Sequence, residues 1–597
     1  MRDSPASRSP GPALRPRLAA LRQTVDAERE FLLILGLFLA FRVMAVIAFR
    51  PGGQIMDFSD FSDWYLGVGQ LTRQGYLPYV NSWDPYPPLV NLLIIGLYNI
   101  SSWLPPWQFP NLWFSLLLGG TFTIFETGNL ILIYAMSRRI TDRSRALRPV
   151  IFYSLLFVPV YTLTGWFESY PIFFFLLSTY LLMRGRPLLS ALTGGIGFMI
   201  RLFPVILLPA IARVASWGCP ADRWWLRIPR LNLALDIRRV ALVVGIFVLP
   251  IVAIGLPFYV INPRLAAGPL VLSNAREPWE TVWALLVGRY EYGVTITDVR
   301  NVLWQPGSSS AASPFWMGLT AAFGLIYLFA YTRPIDWRDA RRVAAFAGFT
   351  LTLFMLYSKG YSPQWLGWVL AFVALLLPNL RGAFYALVTS ALNLVEANVF
   401  FTIVPDEHWL LIVTVGLRTL ILALLSVEFM LTAQPHWVTP ALDRARRWAL
   451  GGLAALILVG SLPAGIRFVN AYFDVRYQLS PYQNTIASLR AESQPGAVLL
   501  VNSYDNRTYD WLYPYLRDRL AFYMLDDYAP PGESVEARTM ATLEAIARAG
   551  RDWWVFDNAP AAPSPSGKVA AGWLAENAML LSARDRDGGR LYHFAIK

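Results

Sequence analysis

The stretch FLLILGLFLAFRVMAVIAF, residues 31–49, is almost entirely apolar and is long enough to cross a bilayer. A membrane-spanning helix requires about 20 such residues. Ten further candidate spans follow it, and together they predict a polytopic α-helical membrane protein. They are 111–137, 149–165, 169–183, 240–261, 315–331, 343–358, 365–378, 382–404, 409–431 and 448–463.

The bulk composition supports a membrane protein. Of the 597 residues, 55% are hydrophobic and only 15% are charged, whereas soluble domains carry about 25% charged residues. The single cysteine, Cys219, excludes an intrachain disulfide framework. Residues 1–30 are polar and rich in arginine, and no cleavage site of a signal peptide follows the first apolar run. We therefore expect this segment to remain on the cytoplasmic side.

Basic residues are distributed unequally between alternate loops. Seven segments hold 27 of the 51 lysines and arginines, while the loops between them hold only seven. Because cytoplasmic loops carry the excess of basic residues, the first set is predicted to be cytoplasmic and the second extracytoplasmic. The basic segments are 1–30, 138–148, 184–186, 213–239, 333–342, 381 and 444–447.

This orientation constrains two ambiguous segments. Both ends of 188–212 are basic, so we expect a hairpin of two short helices, kinked near Arg201 and Pro204. The segment 88–104 is expected to lie along the outer interface. The chain then has about 11–13 transmembrane helices, with 13 as the preferred count, and a cytoplasmic N-terminus.

The composition changes after residue 463. Residues 464–597 are charged, and short apolar runs alternate there with helix-like stretches. That alternation predicts a small α/β domain. Because the N-terminus is predicted to be cytoplasmic and 13 crossings are an odd number, we expect this domain outside the cell. The predicted division is a cytoplasmic segment 1–30, a transmembrane domain 31–463 and an extracytoplasmic domain 464–597.

Three aspartates recur every third residue after the first span. Asp57, Asp60 and Asp63 would share one helical face, and like-charge crowding raises carboxyl pKa values, as a general base requires. A solvated acidic loop anchored by its phenylalanines is the alternative. A divalent metal is a further alternative, but the pattern lacks the glycine turn and terminal glutamate of a calcium loop. The three histidines are scattered, which argues against zinc.

Other ionisable residues lie at the same predicted side. Glu168 occupies a turn between two spans, and it is either functional or a solvated interfacial acid. Arg201 suits a phosphate group, or it pairs structurally with Glu168 or with an aspartate of the first loop. Lys359, one of only three lysines, stands at the mouth of two spans and is a second phosphate candidate.

Aromatic and charged residues are mixed in the neighbouring loops. The loop 262–314 contains Arg276, Trp279 and Glu280, as expected of a segment that lies on lipid and contacts a polar headgroup. Tyr361 could bind substrate or belong to an ordinary interfacial aromatic belt. The acids and cations together predict an outer pocket for an anionic molecule with a lipid tail.

These motifs resemble the GT-C superfamily of membrane glycosyltransferases that use polyprenyl-phosphate sugars, particularly its mannosyltransferase-like and arabinose-transferase-like branches. The resemblance covers residues 31 to about 463. It departs from the family at Glu168, where aspartate is usual, and at Arg201, where lysine is common. The matching motifs are Asp60–Tyr65, Gly75–Tyr79, Tyr86–Leu89, Gly165–Pro171, Arg184–Pro187, Arg201–Pro204, Leu208–Pro209 and Ser358–Gln364.

The resemblance implies a mechanism and a set of site residues. A lipid-linked donor would enter from the outer leaflet with its phosphate held by Arg201 and Lys359, and Asp60 would deprotonate the acceptor hydroxyl in an inverting transfer. No metal is required, the loop 262–314 would close over the substrates, and the C-terminal domain would help to bind the acceptor. The other catalytic candidates are Asp57, Asp63 and Glu168, and the substrate-binding candidates are Tyr79, Tyr86, Arg276, Trp279, Glu280, Tyr361 and Gln364.

The expected partners are a lipid-linked sugar donor, a glycan, lipid or protein acceptor, and the lipids of the cell membrane. No nucleic acid is expected. Two other functions remain open on the sequence, namely a transporter or flippase of lipid-linked glycans and a non-catalytic scaffold. The absence of an internal repeat, and the gathering of polar residues at one side, favour the transferase over a transporter.

Overall fold

The chain folds into two units. The large helical unit covers Met1–Arg444, and the smaller α/β unit covers Ala445–Lys597. The structure is a computed structural model. It describes residues 28–49, 60–105, 111–163, 165–217, 225–229, 233–293, 314–401, 403–473, 482–502, 512–513, 515–525, 527, 534–558 and 564–597.

The helical unit begins with nine helices that include the first candidate spans. They are α1 (Arg29–Ala48), α2 (Leu66–Arg73), α3 (Pro88–Ser101), α4 (Leu112–Ile140), α5 (Arg143–Ser154), α6 (Phe157–Leu163), α7 (Ser169–Met183), α8 (Pro187–Phe198) and α9 (Leu208–Ser216).

A two-stranded antiparallel hairpin, β1 (Trp225–Ile228) and β2 (Leu233–Asp236), separates these helices from the rest of the helical unit. The following helices are α10 (Ile237–Ile261), α11 (Pro263–Ala266), α12 (Gly268–Ala275), α13 (Val282–Leu286), α14 (Pro314–Tyr331), α15 (Ala340–Tyr357), α16 (Leu366–Leu376), α17 (Leu380–Leu394) and α18 (His408–Ala433).

Six of the described helices are long and apolar enough to cross a membrane. Five shorter apolar helices accompany them. The predicted polytopic helical fold is therefore confirmed. The six are α1, α4, α10, α14, α18, and α17 together with the π-helical turn that extends it to Phe400.

Two predicted segments contain breaks that position the functional residues. The run 149–165, predicted as one span, is two helices that separate after Ser154, because Pro159 lacks an N–H and its ring would crowd the carbonyl of Leu155. The predicted kink in 188–212 lies between α8 and α9, where a 3₁₀ turn covers Phe203–Leu207. Arg201 lies in this break.

A polar cluster lies inside the bundle between α1, α4 and α5. The Arg42 guanidinium, which has no solvent exposure, lies 3.6 Å from a carboxylate oxygen of Glu126. Tyr153 and Asn129 donate hydrogen bonds of 3.0 and 3.1 Å to the other oxygen of that carboxylate. Buried charges require such partners, so the cluster fixes the relative positions of the three helices.

The same cluster reaches the turn that carries Glu168. The side-chain amide of Asn129 also donates to the backbone oxygen of Ser169, at 3.2 Å. The hydroxyl of Ser169 in turn donates to the backbone oxygen of Phe122, at 3.1 Å. Two contacts from α4 therefore hold the first residue of α7, directly after Glu168.

The C-terminal unit is a small α/β domain, as predicted. Its helix α19 (Pro440–Phe473) begins before the division between the units, and the predicted boundary at residue 463 falls within this helix. The other elements are α20 (Gln483–Glu492), β3 (Val498–Asn502), β4 (Ala521–Met524), α21 (Val535–Ala549), β5 (Asp552–Asp557), α22 (Pro565–Asn577), β6 (Ala578–Arg586) and β7 (Gly589–Ile596).

The five strands of this unit form one mixed sheet in the order β4-β3-β5-β7-β6. Strand β3 pairs in parallel with β4 and β5, and the β7 pairings are antiparallel. Side chains from alternate positions of β3 enter two separate cores, because successive residues of a strand point to opposite faces. Leu499 and Val501 lie in one core, and Val498 and Leu500 lie in the other.

Gly195 marks the closest approach of α8 to α10, and replacing it with alanine is expected to destabilise the bundle. A methyl group there would lie 2.2 Å from the backbone oxygen of Phe247, and such overpacking costs about 1–3 kcal/mol. We expect a lower apparent unfolding temperature in detergent. The matched control is Gly245→Ala in α10, where no atom lies within 4 Å of the new methyl group and helix propensity favours alanine by about 1 kcal/mol. Equal effects of the two substitutions would contradict the close packing.

Candidate active site

The predicted catalytic acids lie at an irregular turn of helix. Residues Phe61–Tyr65 form a π-helical turn directly after Asp60, and such turns are rare and frequent at functional sites. Asp60 interacts electrostatically with Tyr86, Tyr161 and Arg276. Asp57 lies outside the described residues, and so does the side chain of Asp63.

The loop after α2 carries Tyr86. Its ring stacks on Trp64 with the centroids 3.9 Å apart and meets Phe167 edge-on. Tyr79 lies behind it with a positive φ of 66°, and its hydroxyl donates to the backbone oxygen of Tyr86, at 2.6 Å. Tyr79 is almost fully buried, so it supports the loop from behind while Tyr86 faces the charged groups.

Asp84 is a buried acid in this loop that the sequence analysis did not select. Its side chain is 3% exposed and accepts a hydrogen bond from the backbone N–H of Tyr86, at 2.9 Å. Burial raises the pKa of Asp84 to about 7, although the hydrogen bonds from Tyr86, Asn91, Trp64 and Tyr79 oppose this shift. The carboxyl therefore titrates near neutral pH.

The raised pKa of Asp84 predicts that stability falls as the pH rises. The folded state keeps a proton that the unfolded chain loses near pH 4, so this contribution is largest below pH 4 and declines until about pH 7. At about 1.4 kcal/mol per pKa unit, the loss between pH 5 and pH 8 is roughly 3 kcal/mol. Asp84→Asn, which cannot titrate, is expected to be correspondingly less sensitive in thermal unfolding across that range. The same pH dependence in both proteins would contradict the assignment.

Glu168 and Arg201 form a buried ion pair. Nη1 of Arg201 donates to Oε1 of Glu168, and burial raises the pKa of Glu168 while the adjacent guanidinium lowers it. The pairing matches the alternative role that the sequence analysis gave to Arg201. The break between α8 and α9 and the turn before α7 hold the two residues in place.

Aromatic rings surround the same guanidinium. Its central carbon lies 4.8–5.4 Å from four ring centroids. Ring faces attract a cation, so the four rings hold the guanidinium in one orientation next to Tyr86. The four rings belong to Tyr86, Phe167, Trp365 and Trp368.

The loop after α12 is joined to the turn after α15 by a short β-bridge. The backbone N–H of Trp279 donates to the oxygen of Lys359, and the N–H of Tyr361 donates to the oxygen of Trp279, both at 3.2 Å. Gly360 is required at this crossing, since a methyl group there would lie 2.1 Å from the Trp279 ring. The bridge places Trp279 and Glu280 beside Tyr361.

The ammonium group of Lys359 contacts backbone oxygens of this loop. Nζ donates to the oxygen of Asn274 at 2.6 Å and to that of Arg276 at 3.4 Å. Partial burial lowers the pKa of Lys359. Arg276 itself stacks on Trp279 at 4.4 Å, and its charge acts on Tyr86, Arg201 and Asp60. Arg276 is therefore the cation that lies next to Arg201, while Lys359 supports the loop that carries it.

Glu280 is buried in a strained backbone conformation. Its φ is +50° and its side chain is 4% exposed, and non-glycine residues in this region cluster at functional sites. Burial, together with the negative charge of Glu396, raises the pKa of Glu280 well above its ordinary range. Arg418 donates from one nitrogen to Glu396 and from the other to the backbone oxygen of Glu280.

The remaining candidates surround this second ion pair. Glu396 belongs to a second π-helical turn, Val395–Phe400. The ring of Tyr361 lies 3.7 Å from the Arg418 guanidinium, and its hydroxyl donates to Asn393 at 3.1 Å. Gln364 is half-buried in the 3₁₀ turn that follows.

Two neighbouring clusters thus contain most of the predicted residues. Among the described residues, no group of three or more His, Cys, Asp or Glu side chains is arranged to hold a metal ion. The first cluster is Asp60, Tyr86, Glu168, Arg201 and Arg276, and the second is Trp279, Glu280, Lys359, Tyr361, Glu396 and Arg418.

Comparisons with known proteins found matches among solved structures. No family model and no curated protein matches the chain. ArnT from Cupriavidus metallidurans, solved with bound undecaprenyl phosphate, is 12% identical with a TM-score of 0.38, over 95% of this chain and 98% of that one. AglB, an oligosaccharyltransferase from Archaeoglobus fulgidus solved with a peptide and a dolichol-phosphate, is 10% identical with a TM-score of 0.28, over 94% and 74% of the two chains.

Proposed function

We propose that this protein is a membrane glycosyltransferase that moves a sugar from a polyprenyl-phosphate donor to an acceptor hydroxyl group. One observation carries the proposal, namely the Arg201 guanidinium 5.4 Å from the centre of the Tyr86 ring, beside a tyrosine that also interacts electrostatically with Asp60 and Arg276. A carboxylate can accept a proton from a hydroxyl, and guanidinium groups suit a phosphate. The candidate spans around this site suit a donor with a lipid tail.

The reaction is a single displacement at the anomeric carbon. Asp60 accepts the proton of the acceptor hydroxyl, whose oxygen forms the new bond to that carbon. The bond between the anomeric carbon and the phosphate oxygen breaks, and the polyprenyl phosphate leaves with the bonding electrons. Attack opposite to the leaving group inverts the configuration. Arg201 and Arg276 stabilise the negative charge that develops on the phosphate.

The other residues of the first cluster position these groups. Glu168 neutralises part of the Arg201 charge and fixes the direction of its guanidinium. Tyr86 presents its ring to Arg201 and its hydroxyl to the charged space. We therefore assign Glu168 to positioning the phosphate-binding arginine, and Asp60 to the proton transfer.

The second cluster holds the loop that supplies Arg276. Thr281 donates to the backbone oxygen of Lys359 at 2.9 Å, and Arg418 binds the backbone oxygen of Glu280. In the proposed enzyme, Lys359 and Arg418 keep this loop against the membrane helices, and we assign Trp279, Glu280 and Tyr361 to sugar binding. Trp and Tyr rings and carboxylates are suited to the apolar faces and hydroxyl groups of sugars.

The experiment that tests the proposal uses the full chain in phospholipid vesicles with synthetic undecaprenyl-phosphate hexoses and pentoses. Membrane fractions from cells that lack the protein supply candidate acceptors. We expect release of undecaprenyl phosphate together with a new glycosidic bond, detected by mass spectrometry. The control is the same assay with Asp60→Asn.

Two outcomes would contradict the proposal. Movement of the intact lipid-linked sugar across the vesicle membrane, without a new glycosidic bond, would identify a transporter instead. Undiminished product formation by the Asp60, Asp57 and Asp63 single asparagine variants would remove the assigned base.

A further inference from the structure

The short hairpin β1–β2 has one entirely apolar face. Trp225 pairs with Asp236, Leu226 with Leu235, Arg227 with Ala234 and Ile228 with Leu233. Because directly paired residues share a face and successive residues alternate, one face carries only aliphatic side chains. The other face carries Trp225, Arg227, Ala234 and Asp236. The aliphatic face consists of Leu226, Ile228, Leu233 and Leu235.

The apolar face is not covered by the described part of the protein. Leu226 is 44% exposed and Ile228 is 36% exposed, and Leu233 and Leu235 are half-buried. A two-stranded hairpin is at best marginally stable in water unless its apolar face is packed. Something other than water is therefore expected to cover these four side chains.

The hairpin is attached directly to a membrane-crossing helix. Strand β2 ends at Asp236, and α10, one of the six candidate spans, begins at the next residue. Asp236 caps this helix by accepting the backbone N–H groups of Arg238 and Arg239, at 3.0 and 3.2 Å. Four strand residues extend about 13 Å at 3.3 Å per residue, so the whole hairpin lies near the membrane surface.

Hydrogen bonds to α9 hold the hairpin at this position. The backbone N–H of Asp236 donates to the hydroxyl of Ser216, at 2.9 Å. Arg213 donates to the backbone oxygen of Ala234 at 3.2 Å. The hairpin is thus fixed between two helices of the bundle and cannot move far from the bilayer.

Charged residues flank the apolar face in the pattern of an interfacial element. Arg227 is exposed on the opposite face, where its guanidinium lies over the ring of Trp225 at 5.6 Å. Arg238 and Arg239 are exposed at the start of α10. Elements with one apolar face and a basic polar face lie in the plane of the membrane interface.

We propose that the β1–β2 hairpin lies flat in the membrane interface, with its aliphatic face buried at the boundary between the lipid headgroups and the acyl chains. Arg227, Arg238 and Arg239 remain at the headgroup level, where they contact lipid phosphates. The hairpin thereby anchors the start of α10 at a fixed depth.

The test compares two adjacent positions on opposite faces of β1. In a Cys219→Ser background, Leu226→Cys and Arg227→Cys are each spin-labelled in the full chain and reconstituted into vesicles of phosphatidylethanolamine and phosphatidylglycerol. Collisions with oxygen, which partitions into lipid, are compared with collisions with a water-soluble nickel chelate. The ratio of oxygen to nickel collisions is expected to be several-fold higher for the label at position 226.

Two other outcomes would overturn the proposal. Equal access of the nickel chelate to both labels would place the hairpin in water. A label at position 226 that neither reagent reaches would show that protein, such as a second copy of the chain, covers this face. As a control, the apparent unfolding temperatures of the labelled proteins are measured. Unchanged values would exclude misfolding as the cause of either result.

Discussion

Replacing Asp60 with asparagine is expected to slow sugar transfer by about 10²–10⁴-fold, the usual contribution of a general base. Asparagine has nearly the same shape but cannot accept the proton of the acceptor hydroxyl. Binding of undecaprenyl phosphate should persist, because Arg201 and Arg276 remain and a carboxylate next to Arg276 is removed. The measurement is kcat and KM for the donor in vesicles, together with equilibrium binding of undecaprenyl phosphate.

The neighbouring acids provide the controls for this result. Asp63→Asn and Asp57→Asn remove the same charge from the same motif. They therefore distinguish the loss of the catalytic base from the loss of one negative charge in the motif. We expect each to keep most of the transfer activity. A large loss for Asp63→Asn or Asp57→Asn, with Asp60→Asn active, would move the base within the motif. A parallel loss of undecaprenyl phosphate binding by Asp60→Asn would indicate a disrupted site.

Much of the fold could be predicted because hydropathy alone marks helices that cross a membrane. The predicted run 31–49 corresponds to α1, and 409–431 corresponds to α18. The break at Arg201 could also be predicted, since a proline three residues later interrupts a long apolar run. The separation of α5 from α6 was missed, although Pro159 carried the same kind of signal.

Part of the site could also be predicted from the sequence. Glu168, Arg201 and Tyr86 were selected from motifs, and they lie together. Lys359 stays a predicted phosphate ligand, and its ammonium group contacts the backbone oxygens of Asn274 and Arg276. These contacts depend on how the loop after α12 crosses the turn after α15, and no local pattern encodes this crossing.

The second ion pair was missed for a similar reason. Glu396 and Arg418 are ionisable residues within predicted spans, which is itself a signal of function. Their pairing depends on the rotation of α17 against α18 and on the π-helical turn at Val395. The left-handed backbone of Glu280 depends on the same packing.

Replacing Arg418 with methionine is expected to destabilise the protein by about 3–5 kcal/mol, the cost of leaving a buried charge without its partner. Arg418 is 2% exposed and Glu396 is fully buried, so water cannot take the place of the guanidinium. The measurement is the apparent unfolding temperature in detergent.

Two further variants distinguish the effect of breaking the buried ion pair from the effect of removing a charge elsewhere. Arg418→Met combined with Glu396→Gln removes both charges and should recover much of the lost stability, because replacing a whole buried pair is often neutral. Arg584→Met breaks the exposed pair with Glu492, in which the side chains are 43% and 36% exposed, and such pairs contribute about 0–1 kcal/mol. Since Arg418 also holds the Glu280 carbonyl, Arg418→Met should raise KM for the donor more than it lowers kcat. Equal destabilisation by Arg418→Met and Arg584→Met would show that the buried pair stabilises the protein no more than an exposed pair does.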